Sequence, residues 1–196
     1  MTKPNSPSCD RNRDPILAVL REYFSDRRQV LEIGSGTGQH AVYFAAALPH
    51  LVWQTSDVEE NLPGILAWLS DAQLANTPPP LLLDVKGSWP AHHYDAVFSA
   101  NSLHIMSWEE VTQAFQRLDS VLAPNAVVAI YGPFNYKGQF TSASNAAFND
   151  WLQARGQHMA IRDFEAVDAL ANRIGLELAA DIAMPANNRT LIWRRG

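Results

Sequence analysis

The sequence predicts an α/β protein: a mostly parallel sheet with helices on both faces. Three observations carry that expectation. Short apolar runs of strand length alternate with longer segments whose apolar residues recur at helical spacing. One such run, Val30-Leu31-Glu32-Ile33, breaks on Gly34, Gly36 and Gly38 and resumes as a helix through Ala41, Val42, Phe44 and Ala45. Polar residues then gather where successive strands end: Glu32, Asp57, Asp84, Asn101, His104 and Tyr131. On parallel sheets of this kind, ligands bind at the carboxyl ends of the strands.

Taken in order, residues 1–13 read as an arm with little order, ahead of a single domain over residues 14–196. Asp14-Pro15 gives a helix start, with an Asp cap and Pro at the first helical position. Ile16, Leu17, Leu20, Tyr23 and Phe24 form its apolar face. After the glycine turn and its helix, Leu51–Ser56 is a second strand ending at Asp57. A helix from about Leu62 has ended before Pro78-Pro79-Pro80. Leu81–Leu83 is a third strand, closed by Asp84, and Tyr94–Ala100 a fourth. Ser107 and Glu110 form a capping-box pattern. That box opens an amphipathic helix with Val111, Ala114, Phe115, Leu118, Val121 and Leu122 on one face, closed by Pro124-Asn125. Ala126–Tyr131 is a fifth strand. Helices around Asn145–Arg155 and after Asp163 follow. Leu176–Met184 and Arg189–Arg194 complete seven strands, joined through Pro185-Ala186-Asn187-Asn188.

Composition limits the function classes. The chain has 196 residues, 47% of them hydrophobic, and a net charge of −5. No run of basic residues offers a phosphate-backbone site, so no nucleic-acid partner is expected. Cys9 is the single cysteine, so there is no intrachain disulfide and a reducing, cytoplasmic location is expected. No apolar run approaches the ~20 residues of a membrane span, and the N-terminus lacks the apolar core of a secretory signal. No metal-ligand spacing is present; His92-His93 is adjacent and lies in a loop.

The turn itself discriminates between ligands. A dinucleotide site reads G-x-G-x-x-G, whereas here the third glycine comes one residue early and position 39 is Gln, which disfavours an NAD-linked oxidoreductase. Asp57, about 20 residues past the turn, suits a carboxylate accepting both hydroxyls of a ribose. Asp84 can accept from an exocyclic amine such as that of adenine.

At these residues the sequence resembles the class I S-adenosylmethionine-dependent methyltransferases. LEIGSGTGQ looks like their first motif, Asp57 their ribose acid and Asp84-Val85 their adenine contact. The segments RNRDPIL, YGPFNYKGQFT, NAAFNDWL, IRDFEAV and MPANN are similar to a small methyltransferase-like family known as a domain of unknown function, the methyltransferase-like protein 26 type. The resemblance implies a Rossmann-like, seven-stranded sheet with an antiparallel last strand. It implies S-adenosylmethionine as cofactor and S-adenosylhomocysteine as product. The cofactor residues expected are Glu32, Gly34, Ser35, Gly36, Gly38, Asp57, Asp84, Val85 and Asn101. On the substrate side stand His104 and Tyr131 as catalytic candidates, with Arg11, Asn12 and Asn135 as binding candidates. His104 reads as a general base or hydrogen-bond donor, and equally as a structural hydrogen-bonder. Tyr131 has an alternative reading as a packed residue under the sheet edge, and Glu32 as a turn-stabilising acid. Arg11 would neutralise a carboxylate or phosphate. The expected activity is methyl transfer to a small molecule, which needs a base only where the acceptor carries a proton. The alternative is a cofactor-binding sensor or partner protein without turnover.

Overall fold

The computed structural model describes residues 3–196. Seven strands form one sheet: β1 (Gln29–Ile33), β2 (Val52–Asp57), β3 (Leu81–Leu82), β4 (Tyr94–Ala100), β5 (Leu122–Gly132), β8 (Leu176–Met184) and β9 (Asn188–Arg195). Their order is β3-β2-β1-β4-β5-β9-β8. Strands β1 to β5 pair in parallel, and β9 runs antiparallel to both its neighbours. The chain moves outward from β1 to β3, then crosses back to lay β4 on the other side of β1. That reversal opens a crevice beyond the carboxyl ends of β1 and β4.

Side chains alternate across the sheet with period two. Val30, Ala96, Phe98, Val127, Ala129 and Tyr131 enter one core with α1 (Pro7–Tyr23) and α2 (Gln39–Ala47). Leu31, Val97, Val128 and Ile130 enter the other, against α4 (Trp108–Leu118) and α6 (Phe164–Arg173). Two further helices are α3 (Leu62–Ala72), which packs against α2, and α5 (Ala143–Arg155). The Ser107–Glu110 capping box is formed as expected, with Ser107 Oγ accepting from Glu110 N at 3.2 Å and Glu110 Oε2 accepting from Ser107 N at 2.7 Å.

Two expectations are corrected and one strand pair is added. The arm over residues 1–13 is largely helix: α1 starts at Pro7, and only Met1 and Thr2 of that segment lie outside the described residues. Ser6-Pro7 carries the same start signal as Asp14-Pro15, eight residues earlier. Pro15 is tolerated inside the helix although it deletes one backbone bond, because the turn before it buries Asn12 against α2. Lys3 to Ser6 are tied down as well. Lys3 pairs with Asp71, Pro4 O accepts from Trp68 Nε1 at 2.7 Å, and Asn5 Oδ1 accepts from Gln39 Nε2 at 2.9 Å. Second, α4 stops at Leu118 and a 3-10 turn carries Val121; Leu122 already belongs to β5. Pro124 and Asn125 therefore sit within β5 rather than closing a helix. Asn125 adopts φ 58°, and the β4–β5 register shifts between Tyr94 and Ala96 to absorb the irregularity. The added parallel pair, β6 (Phe134–Asn135) with β7 (Arg162–Asp163), joins the loop after β5 to the start of α6.

Candidate functional site

The glycine turn joins β1 to α2 with three left-handed residues: Gly34 at φ 73°, Gly36 at 56° and Gly38 at 88°. Their side-chain directions differ. A Cβ on Gly34 would lie 2.5 Å from Ser102 Oγ, and one on Gly38 would lie 3.0 Å from the Ile65 backbone, whereas one on Gly36 would meet nothing within 4 Å. Gly34 and Gly38 let elements approach; Gly36 faces open space. The turn is pinned from below. Gly34 N and Ser35 N both donate to Ser56 O, at 3.1 and 3.0 Å. Gly36 N donates to Asp57 Oδ2 at 2.6 Å. Asp57 Oδ1 accepts from Val58 N at 2.8 Å and Asn61 Nδ2 at 2.9 Å, which fixes the carboxylate beside the turn.

Glu32 lies beneath the same turn. It is buried, and its Oε2 accepts from Ser35 Oγ at 2.9 Å and Trp53 Nε1 at 3.0 Å. Burial pushes its carboxyl up to about 7; the two hydrogen bonds oppose that rise and the neighbouring Asp57 adds to it. Because the folded value lies above the ordinary one, the stabilisation from this group is present below the unfolded-state pKa near 4.5. It is lost as pH rises through about 7. Glu32→Gln, which keeps an acceptor for Ser35 and Trp53, is therefore expected to stabilise the ligand-free protein. The gain should be small at pH 5 and reach up to ~3 kcal/mol at pH 8. Urea denaturation at the two pH values measures it; equal differences at both would show an ordinary carboxylate.

Asp84 and Val85 stand apart from this cluster. Asp84 is exposed and folds back on its own loop, with Lys86 N donating to its Oδ1 at 2.9 Å. Val85 faces a surface depression shared with Gln113 and Arg117 of α4.

On the other side of the crevice lies a cavity of about 740 Å³. Of the residues expected from sequence, Arg11, Asn12, Asn101, His104 and Tyr131 line it. Asn135 does not; it is buried in β6, with its Oδ1 lacking a partner. The segment after β4 links turn and cavity, because Ser102 abuts Gly34 while Asn101, at φ 59°, lines the cavity. The sequence reading missed the wall formed by Asn145 and Phe148 of α5 and by Asn188 at the start of β9. NAAFNDWL was noted as a segment, but its placement depends on long-range packing.

Two imidazoles are held neutral. His104 is buried, and burial lowers its pKa to about 4, aided by repulsion from Arg162. Its ring packs edge-on against Phe148 at 5.4 Å and has no hydrogen-bond partner among the described residues. Arg162 braces the loop that carries His104: Nε donates to Leu103 O at 3.1 Å, and Nη2 donates to Met106 O and to His158 O. His40, also lowered to about 4 by burial, contacts Asn12 Oδ1 through Nε2 at 2.7 Å. The amide oxygen accepts, so Nε2 carries the proton. Burial raises the Tyr131 pKa, while Asn12 and the charge of Arg11 oppose the rise. Tyr131 is thus a protonated donor at neutral pH. No cluster of three or more potential metal ligands occurs among the described residues, nor is any described helix long and apolar enough to cross a membrane.

Sheet order and glycine turn together define a Rossmann-like fold of the methyltransferase kind, and solved structures agree. The S-adenosylmethionine-dependent methyltransferase SibL superposes with a TM-score of 0.80 at 21% identity, over 96% of this chain and 55% of that one. PigF, solved with SAH (S-adenosylhomocysteine), gives 0.81 at 15% identity, over 95% and 56%. The O-methyltransferase family 2 protein from Planctomyces limnophilus, in complex with apigenin, gives 0.81 at 13% identity, over 94% and 56%. The chain spans just over half the length of these structures. It belongs to the family described as "Protein of unknown function (DUF938)", whose model matches residues 3–195.

Proposed function

We propose that this protein binds S-adenosylmethionine at the glycine turn and transfers its methyl group to a small molecule held in the adjoining cavity. One observation carries the reading: Gly36 opens onto free space beside two buried carboxyl groups, and a single segment, Asn101–Ser102, leads from there to the unpartnered imidazole of His104. With the Gly34, Ser35 and Gly36 N–H groups held by Ser56 O and Asp57, what the turn offers a ligand is close approach to the main chain at Gly36. Asp57 would receive the ribose hydroxyls, and Glu32, Gly34, Ser35, Gly38 and Asn101 would frame the methionine end. Asp84 and Val85 would bound the adenine from the rim of β3. When bound, the cofactor supplies an electrophilic sulfonium methyl.

The remaining work belongs to the chain. Tyr131 donates to the acceptor, His104 receives its proton, and the cavity walls hold it in line. Orientation of this kind can supply ~7–11 kcal/mol of the barrier. The segments shared with the methyltransferase-like protein 26 type support placing this chain beside that group. We read residues 14–196 as one methyltransferase-like domain, to which residues 3–13 add a wall of the cavity.

Calorimetry with S-adenosylmethionine and S-adenosylhomocysteine tests the cofactor half. Binding is expected, and Asp57→Asn should weaken it on the order of 10-fold or more, since bonds to a charged acceptor contribute ~1.5–3 kcal/mol. Absence of binding, or an unchanged affinity in Asp57→Asn, overturns the assignment. Labelled-methyl transfer to metabolite pools tests the other half; tight binding without turnover on any pool would favour the sensor reading.

A further inference from the structure

We infer that the methyl acceptor is a small hydroxy acid: a monoanion whose carboxylate pairs with Arg11 and whose hydroxyl faces His104. The inference rests on the methyl-transfer reading and specifies its acceptor. Among the described residues, Arg11 is the only formally charged one lining the cavity, and no Asp or Glu lines it. In a chain of net charge −5 that is an unusual enclosure. Arg11 has no ion-pair or side-chain hydrogen-bond partner among the described residues, in contrast to Arg13, which pairs with Asp10, and Arg189, which pairs with Asp181. Arg162, behind His104, is held by backbone carbonyls and likewise lacks a carboxylate partner. One guanidinium thus lines the cavity and a second stands behind its His104.

The rest of the lining is neutral and suited to orientation rather than charge. Asn12, Asn101, Asn145 and Asn188 offer amides, while Phe148 and Pro133 offer flat apolar contact. An ammonium-bearing acceptor would enter without any counter-charge. A phosphate dianion would face only one guanidinium on the cavity wall. A carboxylate matches that guanidinium in charge and in fork geometry. The volume suits an aromatic acid of ordinary ligand size.

The step balances simply. The acceptor oxygen forms a bond to the methyl carbon as the sulfur–methyl bond breaks and sulfur keeps the electron pair. The hydroxyl proton passes to the ring nitrogen of His104. The products are an O-methyl ether and the thioether S-adenosylhomocysteine.

Three probes of one shape distinguish the possibilities: 3,4-dihydroxybenzoate, its methyl ester, and 3,4-dihydroxyphenethylamine. Each is assayed for labelled-methyl transfer, and for thermal shift of the S-adenosylhomocysteine-bound protein. The carboxylate is expected to exceed the ester by roughly tenfold in kcat/KM, on the scale of a hydrogen bond to a charged group, and the amine to be inert. Arg11→Gln should bring the carboxylate-to-ester ratio to within about threefold on the same scale, and Arg11→Lys should retain part of the preference. The product from the benzoate should be a ring ether. The inference is overturned if the ester or amine matches the carboxylate, if Arg11→Gln keeps the preference, if a carboxyl methyl ester forms, or if the carboxylate gives neither shift nor turnover. Failure of the unliganded protein to bind S-adenosylhomocysteine would instead overturn the underlying methyl-transfer reading.

Discussion

Gly36→Val is expected to weaken S-adenosylmethionine binding on the order of 100-fold in a protein that still folds, while Gly38→Ala destabilises the fold itself. Both positions are left-handed, so any side chain costs ~1–2 kcal/mol. They differ in what the new atoms meet. At Gly36 a Cβ enters open space, so stability falls by little more than the backbone term. That same space is where the turn would admit a ligand close to its main chain. Branched carbons there displace the ligand, and affinity should fall on the order of 100-fold, equivalent to ~2.7 kcal/mol. At Gly38 the Cβ would press on the Ile65 backbone at 3.0 Å and on Trp68 Cβ at 3.4 Å. Helix α3 cannot yield there without shifting against α2, and overpacking adds ~1–3 kcal/mol to the backbone cost. At roughly 2–4 °C per kcal/mol, thermal denaturation resolves the two variants. Calorimetry on the folded Gly36→Val protein then decides the matter: affinity equal to wild type would move the cofactor away from this turn.

The contrast shows what a sequence can and cannot convey about such a site. The glycine spacing, the apolar runs and the acids at strand ends are local patterns, and they sufficed for the parallel sheet and the turn that follows its first strand. The individual purpose of each glycine was not local: it depends on Ser102, Ile65 and Trp68, which only the fold brings near. The start of α1 was misread because two Ser/Asp-Pro signals compete. The deciding contact, Asn12 with His40, joins residues 28 apart. Val121 and Leu122 fit a helical period as well as a strand, so the end of α4 was not legible from spacing. The two-residue strands β6 and β7 are too short to have a period at all. Arg11, Asn12, Asn101, His104 and Tyr131, from distant stretches of the sequence, line one cavity, while Asn135 is buried in β6.

His104→Gln is expected to lower kcat by roughly 100- to 10,000-fold, the usual range for removing a general base. Affinity for S-adenosylhomocysteine should be unchanged. The geometry distinguishes His104 from Tyr131. Tyr131 is a phenol raised by burial and approached by the Asn12 amide, so it donates. His104 is pushed down to about 4, so its ring is neutral across the physiological range and one nitrogen is free to accept. Activity should therefore be flat through neutral pH and fall only as pH approaches the lowered value, where the imidazole becomes protonated. Arg162 makes this testable beyond simple loss. Its charge contributes to the depression, so Arg162→Gln should move the acid limb upward toward the ordinary histidine range. Arg162→Lys keeps the charge, so its limb should stay in place, but loses the fork on Leu103 O and Met106 O, so its kcat should fall. A purely structural histidine would show neither behaviour. If His104→Gln retains more than about half of the wild-type kcat, well outside the range for a lost general base, or if the limb stays fixed in Arg162→Gln, then His104 only packs against Phe148. The proton would then leave through solvent at the cavity mouth.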